Sequence, residues 1–308
     1  MRSEMTTAPG GAPRRGRESG DATSIGRVDS LLHGAIEYVR AMVLDPPSPA
    51  DECGFSTPEF ERQARRWLLP AHADPFDAVG IADGIGGVGL AALWMYRRTN
   101  DASYLDAARR IGDRLWRTAR PQERGACWPS ADGAVRYGFA RGASGVAAFL
   151  LYLYLATGEW RWLQLGCEAI EFDLHRWCAR DDGWIHGTSG MAAVLTRYFA
   201  VLGLHSHRTA LCLVIDRSAG YGETTPDYFH VLAGIGQFLL DAALLCRARR
   251  AERLVMRTAA ALAGSAATQF TGSAHAVALF LRRLQARQTS SVMLDELFAL
   301  EHLQRLAY

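Results

Sequence analysis

The sequence predicts an all-α fold, an α/α toroid in which a barrel of inner helices is wrapped by outer ones. Two observations predict it. One glycine-rich motif recurs along the chain, as Gly80-Ile-Ala-Asp-Gly-Ile-Gly-Gly87, Gly138-Phe-Ala-Arg-Gly-Ala-Ser-Gly145, Gly183-Trp-Ile-His-Gly-Thr-Ser-Gly190 and Tyr228-Phe-His-Val-Leu-Ala-Gly234, with an eroded fifth copy at Thr271-Gly272-Ser273-Ala274-His275. Each copy also opens a strongly apolar helical run, and after each of the first four a more amphipathic segment follows. A helix that is apolar nearly all round is buried on both sides, whereas its charged partner faces solvent. Such a hairpin cannot bury its inner helix alone, so the copies must stack. A closed ring satisfies every copy; an open solenoid would leave the inner face wet at both ends.

The elements follow in order. Residues 1–24 are rich in Gly, Pro, Ser and Thr, carry the basic cluster Arg14, Arg15 and Arg17, and read as a disordered tail. Residues 25–308 read as a single toroid domain. A helix is expected from Ser24 to Leu44, where Asp45-Pro46-Pro47-Ser48-Pro49 stops it. A second follows Thr57-Pro58 and ends near Leu69-Pro70. The inner helices are then Val88 to Arg97, Val146 to Ala156, Met191 to Leu202, Ile235 to Leu245 and Ala276 to Leu284, giving about five hairpin repeats beyond the N-terminal helices. Outer helices start near Asp101 and near Glu159, the latter after a Thr157-Gly158-Glu159 turn. His205 and His207, around Ser206, read as an exposed polar loop.

The glycines let each loop approach its neighbours closely at the crowded end of the ring. They are also expected to leave the first N–H groups of each inner helix unpaired and aimed at a common centre, an electropositive funnel. One motif alone serves packing; four in register point to a shared site. The slot four residues before the closing glycine reads Asp83, Arg141, His186 and His230 in successive copies. Two imidazoles there can move protons near neutral pH. Asp83 and Arg141 are either part of the same site or a structural bridge, and the sequence leaves both readings open.

Bulk composition excludes several classes. Lys plus Arg number 34 against 32 Asp plus Glu, a formal charge of +2. That balance offers no global field for nucleic acid or an anionic membrane. No long uncharged apolar stretch marks a membrane span, and the N-terminus lacks the order of a secretory signal. Six cysteines stand far apart with no CxxC pair, reading mostly as reduced, buried small residues of a cytoplasmic protein. Paired acids at the loop mouths and a D-x-D-D motif are absent, which argues against a toroidal glycosidase or terpene cyclase.

The motifs, the Thr157-Gly158-Glu159 turn and the segment Gly272-Ser273-Ala274-His275-Ala276-Val277-Ala278-Leu279-Phe280-Leu281 together resemble the LanC-like lanthionine cyclases. Glu123-Arg124-Gly125 with Trp128-Pro129, the run Leu150 to Gly158, Leu232 to Asp241 and Met293-Leu294-Asp295-Glu296-Leu297 are most similar to the C-terminal cyclase domain of class III (LanKC) synthetases. The resemblance spans roughly residues 80–298. It implies a toroid in which a peptide cysteine thiol adds to dehydroalanine or dehydrobutyrine; the slot residues His186, His230, Arg141 and Asp83 are the candidate catalytic residues for such a step. The implied partners are a ribosomal precursor peptide and a separate kinase and lyase, since no kinase signature occurs in these residues.

Zinc-dependent members of that family hold the metal through one Cys in the third motif and a Cys-His pair in the fourth. Here those places read Ile185 and Phe229-His230. One imidazole without thiolates is too small a donor set, so no cofactor is expected. The loss also opens an alternative, a catalytically inactive toroid that binds a peptide or a modification enzyme. The purified protein is therefore expected to carry no stoichiometric zinc, and an atomic-absorption ratio near one metal per chain would overturn that reading.

Overall fold

The computed structural model describes residues 58–69, 78–82, 84–130, 133–176, 187–219, 228–263, 274–289 and 293–300. The expected tail and the helix from Ser24 to Leu44 lie outside them. The first described helix, α1 (Pro58–Leu68), packs on α2 (Ile85–Thr99). After α2 come α3 (Ala102–Thr118), a short helix α4 (Gly138–Arg141), α5 (Ala143–Thr157) and α6 (Trp160–Arg176). The chain continues through α7 (Thr188–Leu202), α8 (His205–Ser218), α9 (Tyr228–Cys246), α10 (Arg249–Ala263) and α11 (Ala274–Ala286).

The two kinds of helix fall into two layers, as their sequences demand. In α5 every residue from Ala143 to Leu153 is buried, and α2 and α7 are buried almost as completely. By contrast α3 buries only a stripe that includes Tyr104, Leu105, Ala108, Ile111 and Leu115. Each inner helix packs against its own outer partner, α2 with α3, α5 with α6, α7 with α8 and α9 with α10. Inner helices also pack side by side in the order α2, α5, α7, α9, α11. The turn from α5 into α6 passes through Gly158, whose φ of 70° is the left-handed cap that glycine supplies without strain. In the outer layer Arg109 pairs with Glu159 at 3.1 Å and Arg161 with Asp113 at 2.9 Å, exposed links of the kind that each contribute about 0–1 kcal/mol.

The last described turn, residues 293–300, returns to the start of the ring. Arg97 of α2 donates from Nε to the Leu297 carbonyl at 2.9 Å, and its guanidinium lies over the Phe298 ring. The same turn anchors a buried ionic layer. Asp295 accepts both Nε and Nη2 of Arg197, at 3.0 and 2.6 Å, and also accepts the hydroxyl of Tyr152. Arg197 reaches Asp241 at 2.9 Å and donates to the Ala193 carbonyl at 2.7 Å. Arg283 of α11 also pairs with Asp241, and donates to Gln237 at 3.1 Å and to the Thr289 carbonyl at 3.1 Å. Two guanidiniums face two carboxylates, so the layer is formally neutral. Tyr152, Arg197 and Asp241 each stand seven residues past the glycine that closes their motif, at Gly145, Gly190 and Gly234.

Four features depart from the sequence reading. A two-stranded hairpin, β1 (Arg120–Pro121) with β2 (Ala126–Cys127), occupies the extra length between the first two motifs. The fourth motif is no loop, because α9 is already helical from Tyr228. His205 to His207 form the first turn of α8 rather than an exposed loop, and His207 is buried. Cys212 is exposed, whereas Cys127 is buried and Cys167 and Cys246 are half-buried; all four are free thiols. Among the described residues no helix is long and apolar enough to cross a membrane.

Because Arg197 and its partners exclude water, removing one carboxylate strands a buried charge. Asp295→Ala is expected to lower the unfolding free energy by roughly 3–5 kcal/mol, the range for a broken buried pair. Chemical denaturation of the variant beside Arg97→Ala, which removes only an exposed contact to the same turn, checks this.

Candidate functional site

The glycine-loop end of the ring is built by backbone packed on backbone. Ala82 donates from its N–H to the Ala140 carbonyl at 2.9 Å, which joins the first loop to the second. A Cβ at Gly80 would lie 2.4 Å from that carbonyl oxygen and 2.5 Å from Cα of Arg141. The close approach, not a ligand, dictates glycine there. It also brings the loops of the first two repeats together at Ala82 and Ala140. Helix α4 then packs against α7, which adds the third repeat to the same end.

The expected ring of bare helix N-termini is not what forms at the two best-described starts. In α2 the N–H groups of Ile85, Gly86 and Gly87 donate to Ala78, Val79 and Gly80, each at 3.2 Å. The incoming chain thus satisfies its own helix. In α5 an outer-layer carboxylate takes over. Asp173 of α6 accepts with Oδ2 the N–H of Ser144 at 2.8 Å, the N–H of Gly138 at 3.1 Å and the Ser144 hydroxyl. It therefore caps α5 from a neighbouring helix, where an anion also meets the positive end of the helix dipole.

Asp173 is 3% exposed and its Oδ1 makes no hydrogen bond. Burial pushes its carboxyl up to about 6, against the pull of Ser144 and Gly138. Beside it, Tyr137 stacks on Phe172, is 41% exposed and accepts from Arg176 at 3.4 Å, while the Arg176 guanidinium lies over Phe172. Burial likewise raises the thiol of Cys127, with Arg176 pulling it back.

Of the four slot residues, Arg141 is the one whose side chain is described: it ends α4 and is exposed. Asp83 and His186 lie outside the described residues. His230 sits in the first turn of α9, and its side chain also lies outside them. Gly187, next to His186, is the N-cap of α7. Asp173, missed from the sequence, has a readable signal: a lone acid in the buried stripe of Ile170 and Phe172 on an otherwise amphipathic helix. Trp128 is a core residue that donates to the Leu115 carbonyl at 2.9 Å, Trp162 is wholly buried, and Trp160 is exposed. Trp177 and Trp184 lie outside the described residues.

Ile185 and Phe229, the places where the sequence reading looked for thiolate ligands, carry no metal-donor atoms in their side chains. Arg141, exposed at the end of α4, gives this end a guanidinium, a group that binds an anionic oxygen through charge-assisted hydrogen bonds.

Residues 61–199 match the family model described as lanthionine synthetase C-like protein. No curated protein matches the chain. Among solved structures, the Lin0763 protein from Listeria innocua is similar at 13% identity and a TM-score of 0.46, over 94% of this chain and 89% of that one.

The raised Asp173 carboxyl has a definite sign. Its folded value lies above the unfolded one, so its protonated form favours the fold below about pH 4, and that contribution is lost as pH rises through about 6. Asp173→Asn keeps an acceptor oxygen for Ser144 and Gly138 without the charge. The variant is expected to gain on the wild type by roughly 2 kcal/mol between pH 4 and 7, read from denaturation curves across that range. A constant difference over the range would show that Asp173 does not titrate there.

Proposed function

From the premise that residues 61–199 form a lanthionine synthetase C-like region, we propose that this chain is a metal-independent lanthipeptide cyclase acting on a ribosomal precursor peptide. The family match carries the reading; the exposed Arg141 at the glycine-loop end supports it. Dehydrated residues would come from kinase and lyase activities outside these 308 residues.

The reaction is balanced within the peptide. A cysteine thiol loses its proton, the C–S bond forms at the β-carbon, the C=C π bond breaks, and a proton arrives at the α-carbon. In this reading His186 or His230 takes the thiol proton as a neutral imidazole and returns it as an imidazolium. Arg141 holds the enolate oxygen as charge develops, since a guanidinium stays protonated and cannot serve as the acid. Asp83, which fills the matching slot of the first motif, is assigned in this reading to orient Arg141 through its carboxylate.

A second reading is an inactive toroid that binds the peptide or a modification enzyme. The missing donors at Ile185 and Phe229 and the loop-free fourth motif favour it.

A thiol-trapping assay separates the two. A dehydrated, Cys-containing peptide is incubated with the protein and then with a maleimide, and labelling is read by mass spectrometry. The cyclase reading expects labelling to fall relative to a no-protein control. It further expects roughly 100-fold slower loss of thiol in His186→Ala or His230→Ala, a typical acid–base contribution. Arg141→Ala is expected to slow it by a comparable factor. Unchanged labelling with saturable peptide binding would establish the binding module instead.

A further inference from the structure

Helix α6 carries a second polar face, outside the site at the glycine-loop end. Cys167, Glu171 and His175 are spaced four residues apart, so they share one stripe of the helix. With Leu174 they line a groove of about 500 Å³. Its other walls are Leu204 and His207 at the start of α8, and Arg124 from the hairpin between α3 and α4.

The groove has a fixed frame. Arg124 stands beside Gly125, whose φ is +78° and where a Cβ would lie 2.1 Å from the Glu168 carbonyl oxygen and 2.7 Å from the Phe172 nitrogen. Only glycine lets the hairpin rest this closely on α6, and Gln122 closes the turn by donating to the Gly125 carbonyl at 2.9 Å. The Arg124 backbone is thereby held one residue from a rigid contact, with its side chain exposed at the groove rim.

His207 supplies the second observation. It is 8% exposed, its ring meets Tyr198 edge-on with centroids 6.3 Å apart, and its Nδ1 has no hydrogen bond within the protein. Burial pushes this imidazole down while Glu171 pulls it back, so it is mainly neutral at pH 7. A buried polar atom without a partner is costly and calls for an explanation.

The lining chemistry is mixed and directional. Arg124 and His175 offer donors to a carboxylate. Leu174 and Leu204, the latter 44% exposed, offer an apolar wall to a neighbouring side chain. Glu171 disfavours a second carboxylate and accepts from backbone N–H groups. Among the described residues no group of three or more His, Cys, Asp or Glu is placed to hold a metal ion. Burial pushes the Cys167 thiol up to about 11, which makes it a poor nucleophile at neutral pH. The volume lies in the range of sites for small ligands or a few peptide residues.

We infer that this groove binds an extended peptide segment in which an Asp or Glu side chain neighbours apolar residues, the carboxylate resting on Arg124 and His175 and the apolar groups on Leu174 and Leu204. The site is independent of any cyclisation at Arg141, because Asp173 faces the glycine loop while Glu171 and His175 line the groove.

The test uses the full-length protein and the probe acetyl-Leu-Asp-Leu-amide, followed by NMR titration. Saturable shifts are expected around residues 124, 167–175 and 204–207. The Asn counterpart of the probe, and the variant Arg124→Glu, are each expected to weaken binding by about tenfold, the scale of one lost charge-assisted hydrogen bond. Arg110→Glu, exposed on α3, is expected to bind as the wild type does. Equal binding of the Asn probe, no effect of Arg124→Glu, acetate alone binding as tightly as the probe, or no saturation would each overturn the assignment. Binding is read without turnover, so a failed cyclase reading and a failed groove reading give different results.

Discussion

The ionic layer formed by Arg197, Asp241, Asp295 and Arg283 is the constraint on which the ring depends. Its members come from α7, α9, α11 and the turn 293–300, and Tyr152 adds α5. Each charge is buried and must meet its partner at hydrogen-bonding distance or bear the full cost of desolvation. A shift of one inner helix by a single residue, about 1.5 Å of rise, would unpair the layer. The layer therefore sets the heights of the inner helices against one another. An apolar substitute of equal volume can be as stable as a buried pair, so what the charges contribute here is register rather than bulk stability. The apolar faces around them are interchangeable in a way that Arg197 and Asp295 are not.

Register fixed in the middle of the barrel has its effect at the glycine-loop end. There the loops meet backbone to backbone, as Ala82 on Ala140 shows, and glycine at position 80 follows from that contact. The helix starts of α2 and α5 are satisfied from within, by the incoming chain and by Asp173. At these two starts the N–H groups are already claimed within the protein. The described side chain of the polar slot at this end is Arg141, exposed at the end of α4.

One outer helix serves both layers. The inward stripe of α6 places Asp173 against the second glycine loop, and its outward stripe lines the groove under the hairpin. The hairpin fills the longest interval between motifs, and Gly125 seats it on α6. An insertion outside the repeat pattern thus builds a surface on one repeat.

The sequence by itself determined the repeat, the two layers and the ends of most helices. These follow from local rules: apolar runs that no single hairpin can bury, Asp101 and Gly158 at helix ends, and glycines ahead of each inner helix. It also placed Asp83, Arg141, His186 and His230 in one slot, because a slot is a matter of counting. The tertiary structure alone decided which polar groups meet. Asp173 and Ser144 are 29 residues apart and Arg197 and Asp295 are 98 apart, so neither pairing leaves a periodic trace. Likewise His207 lies in sequence beside polar neighbours that suggest a loop, yet the packing of α8 on α7 buries it. Periodicity reports which face of a helix is dry, and it puts Arg197 and Asp241 in one register. Asp173 and Asp295 lie outside that register, and only the packing brings them to their partners.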